Sequence, residues 1–164
     1  MIMKFKFIAA LSLALVFFAS CSTSKEARTY KKSIDGNWQL QTVVSEGIMG
    51  KVKAQIFNEE DFNCFVGSTW TFNKRNNLGS YTISTNGAEC VAVKRDIRWS
   101  IYEATGEPKL FQFKRLDSKL KEIDENNAGF RFTIVQLNNN AMQLKSDIIF
   151  EGKPASFIYN FVRI

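Results

Sequence analysis

The sequence predicts an all-β chain folded as an antiparallel up-and-down barrel of eight or nine strands. Three observations predict it. Apolar and polar residues alternate with the period of a half-buried strand over most of the chain beyond residue 33. The alternating runs are joined by short turns rich in Gly, Asn and Pro, so neighbours pair as hairpins. No connection reads as the dozen-residue crossover that parallel strands need. Closing such a meander removes its unpaired edges, and a barrel is the simplest closure. A two-sheet sandwich is the alternative.

Taken in order, Gly36-Asn37-Trp38 opens the first strand, with Trp38, Leu40, Thr42 and Val44 on one face. Val52, Ala54 and Ile56 alternate in a second, weaker strand, and the acidic stretch Asn58 to Phe62 suits one turn of helix. Trp70 and Phe72 alternate with Thr69, Thr71 and Asn73, and Tyr81 and Ile83 with Ser80, Thr82 and Ser84. Asn76-Asn77-Leu78-Gly79 lies between them, which makes a hairpin with Cys64 before it and Cys90 after it. Val91, Val93, Ile97, Trp99 and Ile101 share the parity of one long strand, ended by Thr105-Gly106-Glu107-Pro108. A short strand follows over Leu110 to Lys114, with Phe111 and Phe113 on one side. Leu116, Leu120 and Ile123 then sit at helical spacing, so a short surface helix is expected between 116 and 127. Three strands complete the chain: one with Phe130, Phe132 and Ile134 inward, one with Met142, Leu144, Ile148 and Phe150, and a last with Phe157, Tyr159 and Phe161.

The chain begins with Lys4 and Lys6 and an apolar run from Phe7 to Phe18, long enough for a signal-peptide core and too short to span a bilayer. The run ends in Phe18-Ala19-Ser20-Cys21, which resembles the lipobox of bacterial lipoproteins. That resemblance implies cleavage after residue 20 and two or three acyl chains, of the palmitate kind, on Cys21. Two chains anchor stably where one is marginal. Residues 21–33 then read as a lipidated N-terminus and flexible tether, and 34–164 as one domain. Ser22 is not the Asp that retains such lipoproteins at the inner membrane, so the resemblance favours the outer membrane, facing the periplasm. Losing residues 1–20 removes two lysines and no acids, so the formal charge falls from +6 to +4. That is too small an excess to indicate nucleic acid.

Three cysteines are present. With Cys21 used for lipid, Cys64 and Cys90 remain as an even pair in an oxidising compartment, and a bond between them is expected. The chain has no histidine, which excludes Ser-His-Asp and Cys-His catalysis within it and the usual zinc sites. Asp124 to Gly129 starts like a calcium loop but has Ala128 and Val135 where side-chain ligands are needed, so it reads as a solvated turn. Glu59-Glu60-Asp61 reads as solvated loop charge. No metal, cofactor or enzymatic activity is expected.

With Gly36-Asn37-Trp38 at the start, this meander in the middle and Arg163 at the end, the domain resembles the lipocalins, in particular the small lipid-anchored lipocalin-like lipoproteins of bacterial envelopes. It lacks a Thr-Asp-Tyr second motif. The resemblance implies that Arg163 packs across Trp38 and closes the barrel floor. It also implies a small apolar or amphipathic ligand inside, for which Trp70, Trp99, Phe72, Tyr81 and Phe113 are the candidate contacts. The other reading is a structural or protein-interaction module with a filled core. At eight strands an interior is just wide enough for either.

Overall fold

The computed structural model describes residues 24–50, 53–84, 89–104, 106–124 and 128–164. The expected signal segment 1–20, the expected lipidation site Cys21, Val52 of the expected second strand, Thr105 of the expected turn and the 125–127 part of the expected surface helix lie outside them. The strands are β1 (Gly36–Glu46), β2 (Gln55–Ile56), β3 (Glu60–Asp61), β4 (Thr69–Asn73) and β5 (Leu78–Ile83). They continue as β6 (Val93–Tyr102), β7 (Leu110–Leu116), β8 (Phe130–Leu137), β9 (Ala141–Phe150) and β10 (Lys153–Arg163). Eight of them close a barrel in the order β1-β10-β9-β8-β7-β6-β5-β4, with every pairing antiparallel. The pair β2–β3 forms a separate small sheet. Among the described residues two helices accompany them, α1 (Lys25–Ile34) and α2 (Phe62–Phe65).

The hairpin β4–β5 forms as expected, with Trp70 opposite Tyr81 and Phe72 opposite Gly79. Cys64 and Cys90 are bonded, with Cα atoms 5.5 Å apart and a sequence separation of 26. In the loop-entropy model that closure contributes about 3.5 kcal/mol. Replacing both cysteines with serine is therefore expected to lower the unfolding free energy by about 3 kcal/mol. Urea denaturation of the two proteins measures it, and coincident curves would mean that the bond holds nothing that the sheet does not already hold.

Five expectations about the elements are corrected. Residues from Lys25 on are not a free tether but the helix α1, capped by the Ser24 side chain, which accepts from the Ala27 amide. Ala27 and Ile34 are fully buried and Tyr30 packs beside them, so an apolar stripe at helical spacing seals the barrel. The weak second strand is not part of the barrel. Only Gln55 and Ile56 pair, with β3, and the helical turn expected over Asn58 to Phe62 begins at Phe62, N-capped by Asp61. A bulge after Leu40 inverts the parity of β1, so Thr42 and Val44 face out, Val44 being 47% exposed, and Val43 turns in. Finally, 117–124 is a series of turns rather than a helix. Asp117 accepts from the amides of Lys119 and Lys121, and Leu120 has φ +59°. Leu116 is spent in β7 while Leu120 and Ile123 are exposed, which leaves no apolar face to dock a helix.

The barrel has two unlike ends. At the floor lie α1, the β4–β5 turn, the β6–β7 connection and the β8–β9 turn. At the mouth lie β2, β3, α2, the disulfide, the turns over 117–124 and the β9–β10 turn.

Candidate binding site

The floor is closed by the first and last strands. Arg163 lies opposite Trp38, with its guanidinium carbon 4.3 Å from the indole centroid. Its nitrogens donate to the carbonyls of Ser33, Asp35 and Asn139. Trp38 is fully buried and its Nε1 donates to the Ile34 carbonyl at 2.8 Å. The contact contributes about 0.5–2 kcal/mol. It also explains the Gly-x-Trp spacing. Gly36 has φ +121°, and a Cβ there would sit 2.5 Å from Arg163 Nη1.

Above the floor the interior is a stack of rings. Trp70, Phe72, Tyr81, Trp99 and Phe113 are each at most 2% exposed, as their strand parity predicts. Trp70, Phe72 and Phe113 meet at the centre, together with Phe111, Phe132, Leu144, Tyr159 and Phe161. Trp99 sits on the floor side, against Phe72 and Phe111, with its Nε1 donating to the Leu78 carbonyl. Tyr81 packs tilted against Trp70 and sends its hydroxyl to the mouth. The void left among the central rings is about 10 Å³, at the lower limit for a single water molecule.

What fills the centre is a residue the strand pattern could not place. Phe57, from the turn between β2 and β3, drops its ring into the barrel axis and is 7% exposed. Its centroid lies 5.0 Å from Phe65, 5.3 Å from both Phe113 and Phe130, and 5.6 Å from Tyr159. Phe57 and Asn58 both have left-handed backbones, at φ 55° and 51°. Two successive non-glycine residues in that region cost energy that surrounding contacts must hold in place.

Those contacts are ionic. Glu59, expected to be solvated, has a side chain only 7% exposed. It pairs with Arg95 at 2.5 Å and with Arg115 at 3.4 Å, and accepts from the Tyr81 hydroxyl. Arg115 also donates to the Asn58 carbonyl at 3.0 Å and pairs with Asp124 at 2.5 Å. Asp124 is thus no solvated turn residue. Its side chain is 2% exposed and accepts from Asn58 as well. Burial works to raise the Glu59 carboxyl, but hydrogen bonds from Arg95 and Tyr81 and the two guanidinium charges outweigh it and hold it below the usual range. Asp124 is lowered in the same way, with burial opposed by the hydrogen bonds and charge of Arg115. Burial, then the bond to Glu59, pushes the Tyr81 phenol well up, and burial pushes Tyr159 up to about 12.

The arrangement is a ring-lined barrel, a ring-bearing plug and a buried ionic latch over the plug. Among the described residues no three His, Cys, Asp or Glu side chains are grouped to hold a metal ion.

Comparison with known proteins gives one family and several distant structures. The family described as a lipocalin-like domain matches residues 34–144. A bovine odorant-binding protein in complex with a selenium-containing odorant is 11% identical, over 87% of this chain and 78% of that one, with a TM-score of 0.44. A deswapped triple mutant of the bovine protein is 11% identical over 80% and 74%, with a TM-score of 0.40. The bovine protein complexed with its natural ligand is 10% identical over 87% and 76%, with a TM-score of 0.37. No curated protein matches the chain.

Proposed function

We propose, from the premise that the chain belongs to the lipocalin-like domain family, that it is a lipid-anchored, non-enzymatic envelope protein. In this reading it takes a small apolar or amphipathic molecule into the barrel when Phe57 withdraws. The observation that carries it is the origin of the central ring. Every other side chain around the void comes from a barrel strand, and Phe57 alone comes from a turn outside the barrel. Withdrawing that turn breaks no barrel pairing, because β2 and β3 pair only with each other. The space released is lined by rings on strands and bounded by Trp70, Phe113 and Phe132.

Anchoring and address rest on the sequence: the apolar run, Ala19-Ser20-Cys21 and the non-aspartate Ser22 fit an acylated Cys21 at the outer membrane, facing the periplasm. Changing Cys21 to Ala is expected to move the protein from the membrane to the soluble fraction. Unchanged partition, with no acyl mass on the mature N-terminus, would end the anchoring part.

Ligand binding is tested by gentle extraction of the lipoprotein, mass spectrometry of what it retains, and titration of fatty acids and isoprenoids against tryptophan fluorescence. Micromolar affinity is expected: apolar burial at about 25 cal/mol per Å², reduced by binding costs, is compatible with it. A second reading has its own support in the void of about 10 Å³, which suits a filled interaction module. An empty extract and no titration would leave that reading standing.

A further inference from the structure

The charge of this domain is divided unevenly between its ends. At the floor, α1 carries Lys25, Arg28, Lys31 and Lys32 against Glu26, and the neighbouring turn adds Lys74 and Arg75 against Asp35. The β6–β7 connection returns two acids, Glu103 and Glu107, with Lys109. At the mouth the signs are mixed and paired, Lys53 with Glu89 and Lys145 with Glu46 and Asp147.

On the side of the barrel a groove of about 870 Å³ runs across the outer face of β6, β7 and β8, from Asn76 and Asn77 in the β4–β5 turn to Glu122 and Gly129. Each strand contributes one cation to it: Arg98, Lys114 and Arg131. Among the described residues the carboxylate on its wall is Glu122, which serves two of them, at 3.4 Å from Arg98 and 2.9 Å from Lys114. Arg131 is held in place without a carboxylate. Its Nε donates to Gln112 Oε1 at 3.0 Å, and its guanidinium lies 4.1 Å over the Tyr102 ring. Gln112 is fixed in turn by donating to Ser100 Oγ at 2.8 Å. The two outer nitrogens of Arg131 have no partner among the described residues. A preordered guanidinium with its outer edge open suits the oxygens of a phosphate.

The chain enters the domain at this same end. The Ser24 amide donates to Glu103 at 3.3 Å, on the floor connection. The three residues from Cys21 to Ser24 span at most about 10 Å, even fully extended. An acyl group on Cys21 would therefore hold the basic end close to the headgroups, at about the distance over which charge acts in physiological salt, near 8 Å.

We propose that the floor end is a lipid-facing surface that docks on anionic headgroups, with the side groove that opens at its β4–β5 turn, between Arg98, Lys114 and Arg131, receiving a headgroup phosphate. The mouth and its plug then face away from the membrane. This orientation rests on the anchoring reading, but the affinity for anionic lipid does not, so it is tested without the acyl group. Among the described residues every core side chain lies between Ala27 and Phe161, so the polypeptide from residue 21 carries the barrel and the helix that seals it.

The experiment is co-sedimentation of the 21–164 polypeptide, carrying Cys21→Ser, with vesicles of phosphatidylcholine alone or with one third phosphatidylglycerol. Binding is expected to be tenfold or more tighter on the anionic vesicles and to fall steeply with salt. The triple variant Arg98→Gln, Lys114→Gln, Arg131→Gln should lose tenfold or more of it. A matched mouth variant, Lys53→Gln, Lys145→Gln, Lys153→Gln, should lose little. Should the groove variant fold poorly by circular dichroism, Lys74→Gln with Arg75→Gln on the exposed floor turn gives the same reading and should also weaken binding. Equal binding to both vesicles, or equal losses from floor and mouth variants, would overturn the proposal. So would chemical-shift changes at the groove with inorganic phosphate but no vesicle binding, which would assign the groove to a soluble anion. None of these outcomes bears on whether Cys21 is acylated.

Discussion

Replacing Phe57 with alanine is expected to destabilise the folded protein by about 3–5 kcal/mol and, in the same step, to make its interior accessible to small apolar molecules. The cost follows from the contacts. The ring is nearly buried and lies within 6.0 Å of six aromatic side chains, and each well-arranged pair contributes about 0.5–1.5 kcal/mol beyond its burial. The gain follows from what remains. All of those rings but Phe65 of α2 stand on paired strands that cannot collapse inward without breaking the barrel, so the space persists as an apolar cavity. Such cavities stay dry and accept benzene-sized molecules. Urea denaturation measures the loss, and titration with an environment-sensitive apolar dye measures the uptake. Phe57→Leu should lose less stability and bind the dye less. If Phe57→Ala loses stability but takes up no more dye than the native protein, the barrel has closed over the gap and its interior is a core rather than a pocket.

Glu59→Gln is expected to cost about 3 kcal/mol at neutral pH, because it leaves Arg95 and Arg115 partly buried without their shared carboxylate. The pH dependence carries a definite sign. The folded carboxyls of Glu59 and Asp124 lie below their ordinary values, so their contribution is fully present above about pH 5. It is lost as pH falls through the depressed folded values, below the ordinary carboxylate range near 4. The native protein should therefore lose stability, and bind apolar dye, as pH drops below about 4, with the plug released first. Glu59→Gln should show a shallower acid loss from an already lower plateau. Stability measured from pH 7 to pH 3 decides it. Parallel curves for the two proteins would mean that the carboxylate does not hold the turn.

The sequence by itself determined the all-β architecture, and the reason is local. Trp70 and Phe72, Tyr81 and Ile83, and Ile97, Trp99 and Ile101 bury on one face because strand geometry has a period of two, whatever the neighbouring chain does. The Cys64–Cys90 bond was legible from counting, and the pairing of Trp38 with Arg163 from the motif at one end of the chain and the parity of the other. Local pattern also misled where one extra residue entered. The bulge after Leu40 turned Thr42 and Val44 outward, and nothing in the alternation announces it. The α1 stripe of Ala27, Tyr30 and Ile34 was visible in principle, but lysines dominate the segment and it becomes helical by sealing the floor. The plug and its latch were decided by the tertiary structure alone. Phe57 is one aromatic in a short irregular turn, and Glu59 is one acid in an acidic run. With Asn58 between them, they meet Phe130, Arg95 and Arg115, and Asn58 meets Asp124, from positions 36 to 73 residues further along, only once the barrel has closed. An ionic cluster of that kind is worth its desolvation only where several partners converge, and convergence across so much chain has no period to betray it.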